Sequence, residues 1–255
     1  MEIHDSLGKG TFGTVYKATF NFDEVAVKKL ESIEGTIHDL EIEIALMAKC
    51  NNSFIVRLIG GCFELTKLCI VMEYMAGGPL NLFLQKHKNN QNQCPMKTRY
   101  QIGCDIARGM AYLHSIQIVH SDMKSPNVLL NEANRAKVSD FGASKLKKGS
   151  GTTLVGPGAA GTTYWMAPEI EFHGQHSNFQ SDMFSVGMVL WELLSFERPF
   201  YKCKNAGQYL GRAFTVPKKE EIPENSPVVL SRVIEKCWEG PLGRPTAPEV
   251  AKFLL

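Results

Sequence analysis

Four polar residues in the middle of the chain have the types and spacing of a phosphoryl-transfer site. Asp122, Lys124 and Asn127 lie close together in a polar, turn-prone run between two apolar stretches, and Asp140 follows Asn127 by thirteen residues. Transfer of a phosphoryl group needs a carboxylate beside the acceptor hydroxyl, a cation for phosphate charge and oxygen ligands for magnesium. A lone aspartate here would be an ordinary turn residue, so the prediction of a phosphoryl-transfer site depends on all four residues together.

A glycine pattern near the N-terminus is a candidate phosphate loop. Gly8, Gly10 and Gly13 form the string G-x-G-x-x-G, which also occurs in plain glycine turns and, before a helix, in dinucleotide-binding folds. Here the residues after Gly13 alternate as a strand, so we expect a hairpin whose backbone N–H groups cover phosphates. Lys28 ends the next apolar strand, and it is either a lysine that reaches solvent or a buried cation.

The elements that must position these residues are mostly strands at first. Residues 14–30 alternate as a β-hairpin, and residues 36–50 have apolar side chains at helical spacing. Two short strand candidates, 54–59 and 68–72, are separated by a pair of glycines at 60–61. The first 72 residues are therefore predicted to be mainly sheet with one helix.

Helices are predicted for most of the remaining chain. Apolar residues recur at steps of three and four from residue 80 onward, and residues 184–196 are predicted to be a buried helix because that apolar stretch is too short to cross a bilayer. The polar stretch 85–93 is expected to be a surface loop. We see no internal repeat, and the chain could be a domain of a longer protein.

Composition and charge restrict the partners. A net charge of +2 in 255 residues, with scattered basic side chains, gives no indication of nucleic acid or of an anionic membrane. The seven cysteines contain no C-x-x-C pair, so we expect reduced thiols in a cytoplasmic protein rather than a zinc site or a disulfide framework. No apolar segment is long enough for membrane insertion, and the oligomeric state is left open.

The motifs taken together resemble the protein kinase family over nearly the whole chain. Besides the residues above they include Val25-Ala-Val-Lys28, Asp140-Phe-Gly and Ala167-Pro-Glu. The resemblance implies an α+β bilobal fold. Its small lobe, an antiparallel β-sheet with one helix, would span residues 1–76, and its larger, mainly helical lobe residues 77–255. It also implies an intracellular signalling enzyme that uses ATP and Mg²⁺, with Mn²⁺ possible, to phosphorylate a Ser/Thr protein substrate.

The resemblance also implies a role for each candidate residue. Asp122 would accept the hydroxyl proton, Lys124 would neutralise the γ-phosphate, and Thr162 would brace both. Asn127 and Asp140 would bind the metal. The ATP-binding set implied by the family comprises Leu7, Gly8, Gly10, Gly13, Val15, Ala26, Lys28, Met72, Glu73, Met75 and Leu129. Among these, Glu73 and Met75 would hydrogen-bond adenine through their backbones, and Met72 would guard the deeper pocket.

In the family, Lys28 would pair with a glutamate on the following helix. The residues leave two candidates, Glu41 and Glu43, which point to different faces of that helix. The family's spacing, counted back from the apolar residues at 55–56, selects Glu43. The same spacing aligns four apolar or aromatic side chains as a stack that links the lobes of active kinases, namely Met47, Leu58, His120 and Phe141. It also implies a buried ion pair between Glu169 and Arg244, and a helix-start Asp182 that anchors the catalytic-loop backbone.

One residue departs from the family pattern. Ser121 stands where most kinases have the arginine that receives an activation-segment phosphate. Lys124 favours serine/threonine specificity while Trp165-Met166 is typical of tyrosine kinases, a mixture that resembles the tyrosine-kinase-like group of serine/threonine kinases. Dual specificity, a weakly active pseudokinase and a nucleotide-binding scaffold remain alternatives. The candidate phosphorylation sites of the activation segment are Ser144, Ser150, Thr152, Thr153 and Thr163.

Overall fold

The computed structural model describes residues 1–10, 13–30, 36–64, 67–146, 163–215 and 219–255. Its N-terminal part is a five-stranded antiparallel sheet in the order β1-β2-β3-β5-β4. The bounds of these strands are β1 Glu2–Gly10, β2 Gly13–Phe20, β3 Asp23–Leu30, β4 Leu58–Cys62 and β5 Cys69–Glu73. Helix α1, Thr36–Lys49, packs on this sheet through β4. The prediction of a sheet with one helix for the first 72 residues is confirmed.

The start of β4 corrects one predicted strand. The sequence pattern placed a strand at 54–59 and a break at the two following glycines, whereas β4 begins at Leu58 and contains both glycines. Glycine suits position 61 because α1 packs against the strand there. A Cβ added to Gly61 would lie 2.5 Å from Ile44 Cδ1 of α1. Ile55 instead forms an isolated bridge with Val138 of the C-terminal part.

The C-terminal part is mainly helical. In the described ranges its helices are α2 Leu80–His87, α3 Met96–Ser115, α4 Pro168–Glu171, α5 Phe179–Ser195, α6 Ala206–Thr215, α7 Val228–Cys237 and α8 Ala247–Phe253. The stretch 85–93 is not wholly a loop, because α2 runs to His87 and a 3₁₀ turn covers Gln91–Gln93. None of the helices in these ranges combines the length and apolar character needed to cross a bilayer.

Helix α5 is the centre of the core. From Ser181 to Leu194 every residue is buried, as expected for the predicted buried helix. Its start is fixed by a capping box in which the Asn178 side chain accepts from Ser181 N and Ser181 Oγ accepts from Asn178 N. The cap places Asp182 in the first turn, and both α3 and α7 pack against the helix.

Short strands frame the segments between α3 and α4. Strands β6 Gly78–Pro79, β8 Val128–Leu130 and β9 Ala136–Val138 form one small sheet. Strands β7 Ile118–Val119 and β10 Lys145–Leu146 pair antiparallel in another. The run that contains the candidate catalytic residues therefore begins after β7 and ends at β8, so both of its ends are fixed by backbone pairing.

Candidate active site

One face of the N-terminal sheet gathers several predicted nucleotide-binding residues. Val15 lies directly opposite Lys28, and Ala26 lies directly opposite Met72. Ala26 and Lys28 are two residues apart on one strand, and alternate residues share a face, so all four side chains lie on the same face. Leu129 lies elsewhere, on β8, where it pairs with Lys137 and Pro79.

The glycine hairpin joins β1 to β2 at the edge of this face. Gly8 pairs with Val15 and Gly10 pairs with Gly13, while Leu7 is 43% exposed on β1. Gly13 has φ +150°, and a Cβ there would lie 2.0 Å from the Lys29 carbonyl oxygen, so β3 leaves room only for glycine. Residues 11–12, between the paired glycines, lie outside the described residues.

Lys28 forms the centre of a buried charge cluster. Its Nζ lies 2.8 Å from Glu43 Oε1, 3.0 Å from Glu43 Oε2 and 3.2 Å from Asp140 Oδ1. Burial lowers the pKa of Lys28, but the nearby Asp140 and Glu43 carboxylates outweigh it, so that its pKa is raised. Burial also raises the pKa of Glu43 against the opposing effect of Lys28. We regard the pair as ionised because the ammonium contacts both Glu43 oxygens.

Glu43, rather than Glu41, faces the site. The Glu43 residue is 4% exposed, whereas the Glu41 side chain is 60% exposed and lies 3.9 Å from the His38 ring. Two residues on a helix are separated by about 200° around its axis, so only one of them can point toward the sheet. The structure therefore brings together the ion pair that the family's spacing selected.

The predicted catalytic residues surround the Asp122 carboxylate. Lys124 Nζ lies 2.7 Å from Asp122 Oδ2, and Asn127 Nδ2 donates to the same oxygen at 3.1 Å and to the Asp122 backbone carbonyl at 2.8 Å. The other oxygen, Oδ1, is buried and has no hydrogen-bond partner within the described ranges. This oxygen is therefore available, among the described residues, to accept a further hydrogen bond.

The backbone beside Asp122 is anchored on helix α5. Asp182 is 1% exposed and accepts from His120 N at 2.8 Å and from Ser121 N at 2.9 Å. Its Oδ2 also lies 2.9 Å from His114 Nε2. Ser121 has φ +66°, a conformation that a non-glycine residue rarely adopts, and the two bonds to Asp182 hold the backbone in it. Asp182 thus anchors the loop, as the resemblance implied.

A second acidic residue of α5 supports the loop, and sequence reasoning did not assign it. Glu192 is 3% exposed, and its two oxygens accept from Ser125 Oγ at 2.7 Å and from Trp165 Nε1 at 2.7 Å. Burial raises the pKa of Glu192 to about 8, although the two hydrogen bonds oppose the shift. The sequence signal that could have found it is a charged residue inside the apolar stretch 184–196. A buried carboxylate requires hydrogen-bond partners, so such a residue indicates a polar contact within the core.

The predicted stack of side chains between the two parts of the molecule is partly visible. Met47, His120 and Phe141 are almost fully buried, and the His120 and Phe141 rings are 5.8 Å apart. Leu58 is half-buried against the same apolar core. His120 Nε2 lies 3.0 Å from the Ser139 carbonyl oxygen, which fixes the ring beside the Asp140 segment.

The linker after β5 carries the residues predicted to contact adenine. Glu73 ends β5, and its carboxylate accepts from Arg57 N at 2.7 Å and from Lys137 Nζ at 2.7 Å. This pair ties the linker to β9 and was not expected from the sequence. Met75 is 5% exposed, and its carbonyl accepts from Gly78 N at 3.0 Å, which closes the turn into β6.

Two other predictions have different outcomes. Glu169 Oε2 accepts from Arg244 Nη2 at 2.9 Å in a buried ion pair, as implied.

Thr162 lies outside the described residues, as do Ser150, Thr152 and Thr153. Ser144 is described: it is 4% exposed and its hydroxyl donates to the His120 carbonyl at 3.1 Å, so it is inaccessible as a phosphorylation site in this conformation.

The oxygen donors near Asp140 fit a magnesium ion. The Asp140 carboxylate is 36% exposed, and its pKa is held below the ordinary value because Lys28 outweighs the raising effect of burial. Asn127 uses its amide nitrogen on Asp122, which leaves the amide oxygen as its possible ligand atom. Within the described ranges no three His, Cys, Asp or Glu residues cluster as a metal site. One carboxylate and one amide oxygen suit Mg²⁺ that shares phosphate ligands.

Comparison with known proteins identifies the family. A model of the family "Protein tyrosine and serine/threonine kinase" matches residues 1–254. The chain is 36% identical to Serine/threonine-protein kinase CTR1 of Arabidopsis thaliana over 262 residues, covering 100% of this chain and 31% of that protein. It is also 36% identical to Serine/threonine-protein kinase STY46 of the same organism over 245 residues, covering 94% of this chain and 41% of that protein.

A third relative is named as a dual specificity kinase. Dual specificity protein kinase shkB of Dictyostelium discoideum is 33% identical over 252 residues, covering 96% of this chain and 38% of that protein. The chain therefore spans less than half the length of these relatives. With its antiparallel N-terminal sheet and helical C-terminal part, the chain belongs to the protein kinase family, within the tyrosine-kinase-like group of serine/threonine kinases. Enzymes of this family use ATP and a divalent cation.

Proposed function

We propose that this chain is a catalytic domain that transfers the γ-phosphate of ATP to serine and threonine hydroxyls of protein substrates. The observation that carries the proposal is the Asp122 carboxylate, with one oxygen held by Lys124 and Asn127 and the other buried without a partner in the described ranges. A substrate hydroxyl that donates to the second oxygen would meet both a proton acceptor and a nearby cation.

In the reaction, the hydroxyl oxygen forms a bond to the γ-phosphorus while the bond to the bridging oxygen of ADP breaks. Asp122 accepts the hydroxyl proton, and Lys124 offsets the negative charge on the transferred group. Lys28, held by Glu43, binds the α- and β-phosphates. Mg²⁺, or Mn²⁺ in its place, would neutralise phosphate charge when it is bound by Asp140 and Asn127.

Nucleotide binding follows from the shared face of the sheet. Val15 and Ala26 would contact the base from one side and Leu129 from the other, Met72 would guard the deeper pocket, and Leu7 would lie at the edge of the site. Gly8, Gly10 and Gly13 would cover the phosphates, and Glu73 and Met75 would bind the adenine edge through their backbones. We place the lobe boundary after residue 76, where the linker leads into β6.

The acceptor residue is the point at which a second candidate deserves testing. Lys124 supports transfer to serine and threonine, whereas one similar protein carries the name of a dual specificity kinase.

We place the domain in the cytoplasm because all seven cysteines are free thiols, which fits a reducing compartment.

The test is transfer of radiolabelled phosphate from ATP to generic protein substrates, followed by phosphoamino-acid analysis. Asp122→Asn should lower turnover by at least about a hundredfold, since general-base catalysis contributes that much or more. The exposed variant Glu132→Gln serves as the control and should retain wild-type turnover. Binding of ATP without any transfer by the wild type would favour the scaffold alternative, and labelled phosphotyrosine would favour dual specificity.

A further inference from the structure

Two cysteines lie directly opposite each other across the β4–β5 hairpin. Cys62 ends β4, Cys69 begins β5, and the two are register partners. Opposite residues of an antiparallel pair have Cα atoms about 4.5–5.5 Å apart and side chains on the same face. A disulfide needs a Cα separation of about 4.4–6.8 Å. The backbone therefore already provides the separation that a disulfide requires.

The pair lies on the face of the sheet that points away from α1. The neighbouring Gly61 faces Ile44 of α1, so Cys62 points to the other side. Cys62 and Cys69 both belong to a small apolar cluster with Val27, separate from the main core. The active-site side chains use the opposite face, so a bond between the cysteines would not occupy the nucleotide site.

The two thiols differ in accessibility, and Cys62 affects the pKa of Cys69. Cys69 is 5% exposed, whereas Cys62 is half-buried. Burial raises the pKa of the Cys69 thiol, and the adjacent Cys62 thiol raises it further. A hydrogen bond from the Cys62 backbone and the Lys29 ammonium lower this pKa, but they do not outweigh burial, so the pKa of Cys69 stays above its ordinary value. An oxidant would therefore reach Cys62 first, with Cys69 in place to resolve the product.

No other cysteine has this arrangement within the described ranges. Cys50 donates to the Leu46 carbonyl on α1, and burial raises its pKa to about 11. Cys104 donates to the Leu254 carbonyl, and Cys94 is completely buried. Among the described strand pairs, only one brings two cysteines into register.

We propose that Cys62 and Cys69 form a reversible redox modification site, which a hydroperoxide converts into an intrachain disulfide. In the first step the Cys62 thiolate attacks a peroxide oxygen, the O–O bond breaks, and Cys62 becomes a sulfenic acid with release of water or an alcohol. In the second step the Cys69 thiolate attacks the sulfenic sulfur, forms the S–S bond and releases water. Two thiols are oxidised and one hydroperoxide is reduced; an added dithiol reverses the change.

Trypsin gives a direct test, because it cleaves after Arg57, Lys67 and Lys86 and so separates the two cysteines. The whole chain is treated with hydrogen peroxide, alkylated with N-ethylmaleimide, digested without reduction and analysed by mass spectrometry. The expected product is peptide 58–67 joined to peptide 68–86, two hydrogens lighter than the sum, as the main cystine product. It should come from the monomer band and disappear after dithiothreitol.

Three variants sharpen the result. Cys62→Ser and Cys69→Ser should each abolish the linked peptide, and Cys69→Ser should leave a Cys62 sulfenic acid that dimedone traps. Cys50→Ser is the matched control and should give the wild-type yield. The proposal is overturned if peroxide drives Cys62 to sulfinic acid while Cys69 is alkylated, or if the link occurs only in dimers. Random cross-links among all seven cysteines, as expected from peroxide-treated unfolded chain, would overturn it as well.

Discussion

The Lys28 charge cluster and the region of α5 behind the catalytic loop each bury a glutamate, but the two carboxylates have different partners. Glu43 is 4% exposed and contacts the Lys28 ammonium with both oxygens. Glu192 is 3% exposed and contacts only neutral donors, the Ser125 hydroxyl and the Trp165 indole. One glutamate is therefore part of an ion pair, and the other is held by hydrogen bonds.

The difference separates an electrostatic role from a structural one. A buried carboxylate that faces a cation remains ionised and keeps that cation in place, so its removal should impair the chemistry that uses the cation as well as destabilise the fold. A buried carboxylate that faces only neutral donors exchanges its proton within the physiological pH range, so its removal should affect the pH dependence of stability. Each experiment below tests one side of this comparison.

The largest effect is expected at the third member of the Lys28 cluster. Asp140→Asn replaces the carboxylate with a neutral amide, which would remove the charged ligand proposed for Mg²⁺ and the charged partner of the second Lys28 contact. Metal-dependent turnover should fall by orders of magnitude, while the melting temperature stays close to that of the wild type. Exposed Asp23→Asn is the control. Near-normal turnover of Asp140→Asn at saturating MgATP would show that the metal site lies elsewhere.

The second effect tests the ion pair itself. Glu43→Gln keeps the shape of the side chain but removes the charge that holds Lys28, and a hydrogen bond to a charged group contributes about 1.5–3 kcal/mol. Turnover should therefore fall about tenfold or more. Glu41→Gln, on the exposed face of the same helix, should change turnover by less than about twofold. Equal losses in the two variants, measured under identical MgATP, would contradict the assignment.

The third effect concerns Glu192, whose pKa of about 8 lies above the ordinary value of 4.5. Between these values the folded protein keeps a proton that the unfolded chain has lost. This glutamate's contribution to stability is therefore complete below about pH 4.5 and is lost as the pH rises through about 8. Glu192→Gln cannot titrate, so its melting temperature should fall less steeply than that of the wild type between about pH 5 and 8.

Glu132→Gln provides the reference for that measurement, since its exposed carboxylate has no buried environment to lose. It should reproduce the wild-type slope. A Glu192→Gln slope equal to the wild-type slope would mean that Glu192 is ionised when folded and that the contrast with Glu43 is wrong. Turnover of Glu192→Gln at low pH should remain near wild type, because the glutamine oxygen can accept from the Trp165 indole while its amide nitrogen donates to the Ser125 hydroxyl.

The sequence predicted the charged residues of the cleft better than their support. Lys28, Asp122 and Asp140 stand in motifs whose spacing identifies them. The choice of Glu43 over Glu41 needed the family's spacing in addition, because the residues alone left both glutamates open. For Glu192 the only local signal is a charge inside an apolar stretch, because its partners at 125 and 165 are distant in sequence. Such contacts depend on tertiary packing, which local patterns do not encode.

For the fold, the types of the elements were predicted better than their exact bounds and the contacts between distant residues. The strands of the N-terminal part and the helices of the C-terminal part were predicted from local sequence patterns, such as the strand-like run of β2 and β3 and the apolar stretch of α5. The start of β4 was misplaced by four residues because the glycine pair was interpreted as a break, whereas both glycines lie inside β4 and α1 packs where a side chain at Gly61 would be. The ion pair between Glu73 and Lys137 was missed because it joins residues that only the folded chain brings together.

The smallest effect concerns how the activation segment is held without an arginine at Ser121. In the described residues the start of this segment is fixed by backbone pairing of β10 with β7 and by the Ser144 hydroxyl, which donates to the His120 carbonyl. Neither contact involves a phosphate. If a phosphate on the segment lacks the arginine that usually receives it, the protein does not gain that charge-assisted bond.

Phosphatase treatment should therefore lower turnover by a factor on the order of two or three, because the charge-assisted contact, otherwise about 1.5–3 kcal/mol, is missing. A hundredfold loss would mean that another basic residue receives the phosphate. Ser121→Arg gives the converse test, and Ser121→Gln is its matched control because it adds length without charge. Ser121→Arg should make turnover more sensitive to phosphatase than Ser121→Gln does, since only the guanidinium can hold a phosphate with two hydrogen bonds. Equal sensitivity in both variants would show that packing alone holds the segment, and that the cation at this position is not what couples phosphorylation to activity.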